Sequence, residues 1–158
     1  MAAAKSAGAR KLPEWDLKDF YSAPDAPSVV KDFNRAGELC SRFRKSYEGK
    51  VVSLSASALA KAISEYEVIQ ELLGKLGSYA GLRFAKNMAE PSIAQFYQNT
   101  QEKITALSSQ ILFFGLSLNK IDEKDLRTKL KNPALKKYEP WLRDVRSFRP
   151  YQLSDDLE

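Results

Sequence analysis

Residues 93–121 read IAQFYQNTQEKITALSSQILFFGLSLNKI, and this stretch is the starting point for predicting the fold. Its large or β-branched residues recur at alternating steps of four and three, which is the period of one helix face packed lengthwise against other helices. The strict alternation of a strand is absent. We therefore predict a central helix with the rest of the chain packed around it. Its apolar seam comprises Ile93, Tyr97, Thr100, Ile104, Leu107, Ile111, Phe114, Leu118 and Ile121.

The same spacing predicts two helices before this stretch. The apolar seam of the first extends from Val29 to Tyr47, with Asp25 or Ser28 as its cap, Pro27 in its opening turn and Gly49 as the residue that ends it. The second begins at Ser53 or Ser55 and has two apolar stripes, so we expect neighbours on both of its sides. A turn at residues 87–91 makes the second and third helices antiparallel neighbours.

Local signals also predict the elements that follow the central stretch. Asp122 is expected to cap a short helix that runs to about Leu130, and Asn132 with Pro133 begins a fifth helix. Pro140 lies inside that fifth helix and should kink it or split it in two. The predicted fold is all-α, an elongated antiparallel helical bundle of about five helices.

The N-terminal part of the chain divides into a tail and a strap. Residues 1–11 are predicted to be a flexible tail, and residues 12–158 a single helical domain. Trp15, Leu17, Phe20 and Tyr21 are too apolar to remain in water, and nearby prolines prevent a continuous helix. We expect this segment to lie as an ordered strap across the helices.

Composition excludes several kinds of chemistry. The 158 residues contain no histidine, so Ser-His-Asp and Cys-His catalysis and His-rich zinc sites are excluded, and we predict no catalytic and no metal-binding residue. The single cysteine, Cys40, excludes an internal disulfide and is predicted to be a buried thiol. No secretory signal and no apolar run of membrane-spanning length is found, so we expect a cytoplasmic protein without a membrane partner.

Three glycines form a strip inside the predicted second helix. Gly74, Gly77 and Gly81 are three and four residues apart, and each costs roughly 1 kcal/mol relative to alanine in a helix. A smooth strip of this kind permits close packing of another helix, or it forms a hinge or groove for a peptide. With Tyr79 it is the candidate site of this chain.

Positive charge is concentrated near the C-terminus. The formal net charge is +5, and residues 127–149 contain eight bases against two acids, interleaved with aromatic residues such as Tyr138 and Trp141. This composition is one way to build a nucleic-acid surface. The aromatic residues have the helical spacing of a core, however, and no Gly-rich loop accompanies them. We therefore expect a solvated basic surface and no nucleic-acid partner.

Five stretches carry a family resemblance: LPEWDLKDFY (12–21), ELLGKLGSYAGL (71–82), LSSQILFF (107–114), YEPWLR (138–143) and FRPYQLS (148–154). In order and spacing they resemble the N-terminal region of the oligoendopeptidase F family of zinc metallopeptidases. One departure is Tyr151, where many relatives have histidine. The resemblance covers nearly the whole chain from Leu12 onward.

The resemblance implies a role without catalysis. In that family a His-Glu-x-x-His helix of a C-terminal domain holds the zinc, and no position of this chain matches it. The sequence opens a further helix at Ser154, and we expect the chain to be truncated before the catalytic domain. The implied partners are that domain and oligopeptide substrates. The implied role is to wall a substrate channel, with Gly74, Gly77, Tyr79 and Gly81 near it.

A second hypothesis is a stand-alone helical module. Such a module would bind a partner helix through the strip from Gly74 to Gly81, or form a homodimer through an apolar face. This hypothesis and the peptidase hypothesis both predict a helical fold.

Overall fold

The computed structural model describes residues 15–153, and within this range the fold is all-α with no strand, as predicted. The tail predicted at residues 1–11 and the helix start predicted at Ser154 lie outside the described residues. Short 3-10 turns occupy Val51–Ser53 and Arg149–Tyr151. The helices are α1 (Pro27–Tyr47), α2 (Ala56–Lys86), α3 (Pro91–Ser109), α4 (Leu112–Lys120), α5 (Glu123–Lys129), α6 (Pro133–Lys136) and α7 (Glu139–Arg146).

Helix α2 is the centre of the fold, because α1, α3 and α6 all pack against it. Both α1 and α3 run antiparallel to α2, as predicted for the second and third helices. Nine residues of α2 are buried, whereas α3 buries only Thr100 in the described chain. The prediction that residues 93–121 form the central helix is therefore wrong. The two apolar stripes of α2 were the better indicator, since they require partners on two sides.

The predicted third helix is in fact two helices. It breaks at Gln110 and Ile111, where Ile111 has φ −114° and ψ 0° and α4 begins. The break separates a partly exposed half of the seam, which includes Ile104 and Leu107, from a fully buried half. In the buried half, Phe114 meets the ring of Phe43 on α1 edge-on, with 5.1 Å between ring centroids. Tertiary packing thus overrides a continuous local pattern.

Local cap chemistry sets most of the other boundaries as predicted. Three caps accept hydrogen bonds from backbone N–H groups: Ser55 at the start of α2, Asp122 at α5 and Asn132 at α6. The predicted fifth helix is split into α6 and α7 ahead of Pro140. The α1 cap was predicted wrongly, because Ala26 occupies that position without a side-chain bond and Pro27 begins the helix. Gly49 follows α1 with φ +73°, a conformation that favours glycine.

Two hydrophobic clusters form the core. The larger one joins α1, α2, α4, α6 and α7 and includes Cys40, which is fully buried, as predicted. Burial raises the pKa of the Cys40 thiol. The smaller cluster lies under the strap (residues 15–21), where Tyr21 packs against Tyr79 of α2. The strap prediction holds for Leu17, Phe20 and Tyr21 but not for Trp15, whose surface is 70% exposed.

None of the described helices alone is long and apolar enough to cross a bilayer. Two consecutive segments, residues 91–120 and 123–129, reach the required length and hydropathy only when they are taken together, and the angle between them is 101°.

Candidate functional site

The glycine strip lies on the face of α2 that turns toward α3. A Cβ atom added at Gly77 would lie 3.3 Å from Cδ1 of Ile104, and one at Gly81 would lie 3.9 Å from Cε2 of Tyr97. A Cβ atom at Gly74 would meet nothing within 4 Å. The closest approach between α2 and α3 is therefore at Gly77, and Gly74 borders open space. A contribution of the strip to a peptide channel stays a prediction.

Tyr79 is directed away from solvent. Its side chain is fully buried among the rings of Phe20, Tyr21 and Phe96, and the guanidinium of Arg83 lies 5.7 Å from its ring centroid. Its hydroxyl finds no hydrogen-bond partner among residues 15–153. Tyr79 thus holds the strap against α2 and α3 in this structure.

A polar link joins the strap to α1 and α2. The Tyr21 hydroxyl donates a hydrogen bond of 2.7 Å to Oδ2 of Asp32, and the Lys75 ammonium donates one of 3.0 Å to the same oxygen. The Lys75 Nζ also lies 4.3 Å from the centroid of the Tyr21 ring. Three separate elements therefore meet at one carboxylate.

The electrostatics of the link favour one protonation state. Burial alone favours the neutral acid, but hydrogen bonds from Tyr21 and Lys75 outweigh it and hold the pKa of Asp32 below its ordinary value. Burial, and then the bond to the ionised Asp32, raise the pKa of Tyr21. At neutral pH the link therefore consists of a carboxylate, a neutral phenol and an ammonium group.

This link lies at one end of a groove between α1 and α2, which we call the α1–α2 groove. Two adjoining cavities of about 270 Å³ and 180 Å³ share Arg35 and Val68. From Asp32 to Arg42 along α1 the groove extends over roughly 15 Å, at about 1.5 Å per helical residue. Its apolar floor consists of Leu39, Phe43, Val68, Ile69 and Leu72.

Beyond the ion pair of Asp32 with Lys75 at its end, the two rims of the groove carry opposite charges. The α1 rim contributes Arg35 and Arg42, and the α2 rim contributes Glu65 and Glu71. Val68 between them is 41% exposed and adds apolar surface to the groove. An apolar floor flanked by both signs of charge is suited to binding a short peptide.

The basic segment near the C-terminus does not form a stacking surface with its interleaved aromatic residues. Tyr138 is buried and donates a hydrogen bond of 2.8 Å to Oε2 of Glu67, and Trp141 packs against the larger core cluster. The helical spacing of these aromatic residues thus reflects the core, as the sequence indicated. Phe148 and Tyr151 are exposed and follow α7.

The described residues provide no site for a metal ion. Between residues 15 and 153, no group of three or more cysteine, aspartate or glutamate side chains comes together in a way that would hold one.

One family model matches the C-terminal part of the chain. Residues 117–158 match the family model described as Oligopeptidase F, specifically its N-terminal domain. The match confirms the resemblance to the N-terminal region of that peptidase family, and it comprises α5, α6 and α7 with the end of α4. It does not favour the alternative of a stand-alone interaction module. Searches of curated proteins and of solved structures gave no match.

The α1–α2 groove is the feature that sequence reasoning missed. Arg35 and Arg42 lie outside the apolar seam of α1 and are exposed, but nothing in the sequence places them across a groove from Glu65 and Glu71 on another helix. The one available signal was the second stripe of α2, in which Val68 and Leu72 are apolar residues outside the main seam.

Proposed function

We propose that this chain is the N-terminal helical region of a zinc-dependent peptidase that cleaves oligopeptides, and that it walls part of the substrate path. The match of residues 117–158 to Oligopeptidase F is the observation that carries the proposal. The sequence has no histidine, so the His-Glu-x-x-His zinc site and the hydrolytic step belong to a separate catalytic domain. That domain is the main partner in this proposal.

The α1–α2 groove is the surface that we assign to peptide contact. A length of roughly 15 Å accommodates four or five residues of an extended peptide at about 3.3 Å each. Arg35 and Arg42 attract carboxylates on one side, and Glu65 and Glu71 attract amines on the other. The exposed Val68 offers an apolar contact that does not depend on the peptide's charge.

Weak binding is what this geometry favours. Exposed ion pairs contribute about 0.2–1 kcal/mol each, and the groove is open to solvent. A peptide held at this strength is retained near a catalytic domain and still released. An extended peptide can lie along cavities of about 270 Å³ and 180 Å³, whereas a folded domain is too large for them, so the contribution that we assign to the region is selection of substrates by size.

The peptide contact is tested with the whole chain and a fluorescein-labelled octapeptide that contains two glutamates, two lysines and apolar residues. Fluorescence anisotropy measures its affinity for the wild type and for the variant Arg35→Glu with Arg42→Glu. We expect the variant to bind about threefold to tenfold more weakly, because two attractive rim charges become repulsive. The charge-matched control is Lys31→Glu with Lys45→Glu, at two exposed residues of α1 that line neither cavity of this groove.

The two variants change the net charge equally, so a general charge effect weakens binding in both. Weakening only in the Arg35 and Arg42 variant supports the proposal. Equal affinity for all three proteins shows that the groove is not the peptide site and overturns the assignment. Circular dichroism confirms that each variant is folded.

Size selection is tested in a peptidase that carries this region. Removal of the region is expected to raise the rate on large unfolded chains relative to the rate on short peptides. Unchanged rates on both substrates contradict the proposed role.

A further inference from the structure

A second groove, which we call the basic groove, lies between α5 and the α6–α7 pair. Two cavities of about 540 Å³ and 390 Å³ share Arg127, Leu130 and Glu139, so they are continuous. The groove runs from Ser147 after α7 to Pro133 at the start of α6. It is larger than the α1–α2 groove and is on a different set of helices.

The basic groove is lined by more basic than acidic residues. Five basic residues line it, Arg127, Lys131, Lys136, Arg143 and Arg146, against two acids, Glu123 and Glu139. This leaves an excess of three positive charges.

Both acids already have partners within the groove. Glu123 pairs with Arg127 at 3.1 Å and with Arg146 at 3.2 Å, and hydrogen bonds from these two residues lower the pKa of Glu123. Glu139 pairs with Lys136 at 2.6 Å. Lys131 makes no ion pair with any residue of the described part of the chain. Arg143 pairs at 3.0 Å with Asp144, which does not line the groove. The positive charge left without an ion pair is therefore that of Lys131, which lies in a concave site where the local field is strengthened.

The floor of the basic groove is apolar. Leu126 and Leu130 come from α5 and its end, and Pro140 comes from the start of α7. A ligand that fits this site therefore combines negative charge with apolar side chains. An extended peptide does so when acidic and apolar residues alternate, because successive side chains point to opposite sides of its backbone.

Nucleic acid fits the basic groove less well than a peptide does. Stacking of bases requires exposed aromatic residues along the strand, and Tyr138 and Trp141 are directed into the core instead. The exposed Phe148 and Tyr151 do not line the groove.

We propose that the basic groove binds an acidic, extended peptide segment, with carboxylates beside Lys131 and Arg143 and apolar side chains on Leu126, Leu130 and Pro140. The proposal goes beyond the peptide contact at the α1–α2 groove, since the groove is separate and the partner carries one sign of charge. It is independent of the proposed peptidase role.

The test uses a fluorescein-labelled decapeptide of alternating glutamate and leucine with blocked ends, titrated with the whole chain. The variant Lys131→Glu with Arg143→Glu is expected to lower its affinity about tenfold. Raising the salt from about 0.1 M to about 1 M shortens the screening length from about 10 Å to about 3 Å and should weaken the wild type strongly. Lys31→Glu with Lys45→Glu, at two exposed residues of α1 that line neither groove, is the charge-matched control and should bind like the wild type.

Each outcome decides the proposal. Loss of binding only in the Lys131 and Arg143 variant supports it, and the milder variant Lys131→Gln with Arg143→Gln should then show a smaller loss. Absence of binding to the wild type, or equal binding by all variants, overturns it. Tighter binding of a labelled oligothymidylate than of the peptide overturns it in favour of nucleic acid. The proposed function is tested separately, with the mixed-charge octapeptide and the variant Arg35→Glu with Arg42→Glu, so failure here is distinguishable from failure of the proposed function.

Discussion

Gly74 and Gly77 lie about one helical turn apart on α2 and differ in the space that is available for an added methyl group. Alanine is favoured over glycine inside a helix by about 1 kcal/mol. At Gly74 the added methyl meets nothing within 4 Å, so Gly74→Ala should raise the free energy of unfolding by about 0.5–1 kcal/mol. At Gly77 the methyl of Ile104 must shift first, so Gly77→Ala should gain less or lose stability. Urea denaturation of the two variants measures the difference.

Each glycine variant is a control for the other, because both replace a glycine of α2 with alanine. Destabilisation by Gly74→Ala would mean that another group packs on Gly74, contrary to the open space in the structure. A greater gain at Gly77 than at Gly74 would contradict the close approach of α3.

Tyr79 gives a second prediction at the scale of single residues. Its hydroxyl is buried without a partner in residues 15–153, and an unsatisfied buried polar group lowers stability. Tyr79→Phe removes the hydroxyl and keeps the ring between Phe20 and Phe96. We expect an unchanged free energy of unfolding or a gain of up to about 1 kcal/mol in urea denaturation. A loss above about 1 kcal/mol would show that the hydroxyl has a partner after all.

At the scale of elements, Asp32 connects the strap, α1 and α2. Asp32→Asn keeps the shape but removes the charge that Lys75 contacts, and we expect a loss of about 1 kcal/mol at pH 7, reduced by the partial exposure of Lys75. The pKa of Asp32 is lower in the folded state than its ordinary 3.8. The stabilisation is therefore complete above pH 3.8 and is lost as the pH falls through the folded-state pKa.

The pH dependence is measured by urea denaturation at pH 7, 4 and 3. The difference between the wild type and Asp32→Asn should shrink toward the lowest pH. Asp19→Asn, an exposed carboxyl on the strap, should change stability little at any of the three. A difference at Asp32 that stays constant with pH would show that the carboxylate charge is not what stabilises the link.

Helix boundaries that depend on nearby residues were predictable from the sequence, and the boundary between α3 and α4 was not. Asp122, Asn132 and Pro140 act on backbone groups within a few residues, so their effects were predicted correctly. The break at Ile111 has no proline or glycine beside it. It follows from the packing of Phe114 on Phe43, about 70 residues earlier, which a periodic pattern along one helix does not contain.

At the scale of the whole molecule, the fold class was predictable and the grooves were not. Helical periodicity and the lack of strand patterns determine an all-α fold, and α2 with its two stripes determines how the layers stack. The grooves depend on which exposed charges of different helices line the same cavity, as Arg35 and Glu71 do. That pairing is set by helix position in space, so one sequence alone does not indicate it.

The central claim is that this chain contacts peptides and does not cleave them. It is tested by titrating the unlabelled octapeptide into the ¹⁵N-labelled chain with zinc present and recording backbone amide shifts. We predict shifts along the α1–α2 groove, at Arg35, Val68 and Glu71, and intact peptide afterwards. Shifts elsewhere, no shifts at all, or hydrolysed peptide would contradict the claim.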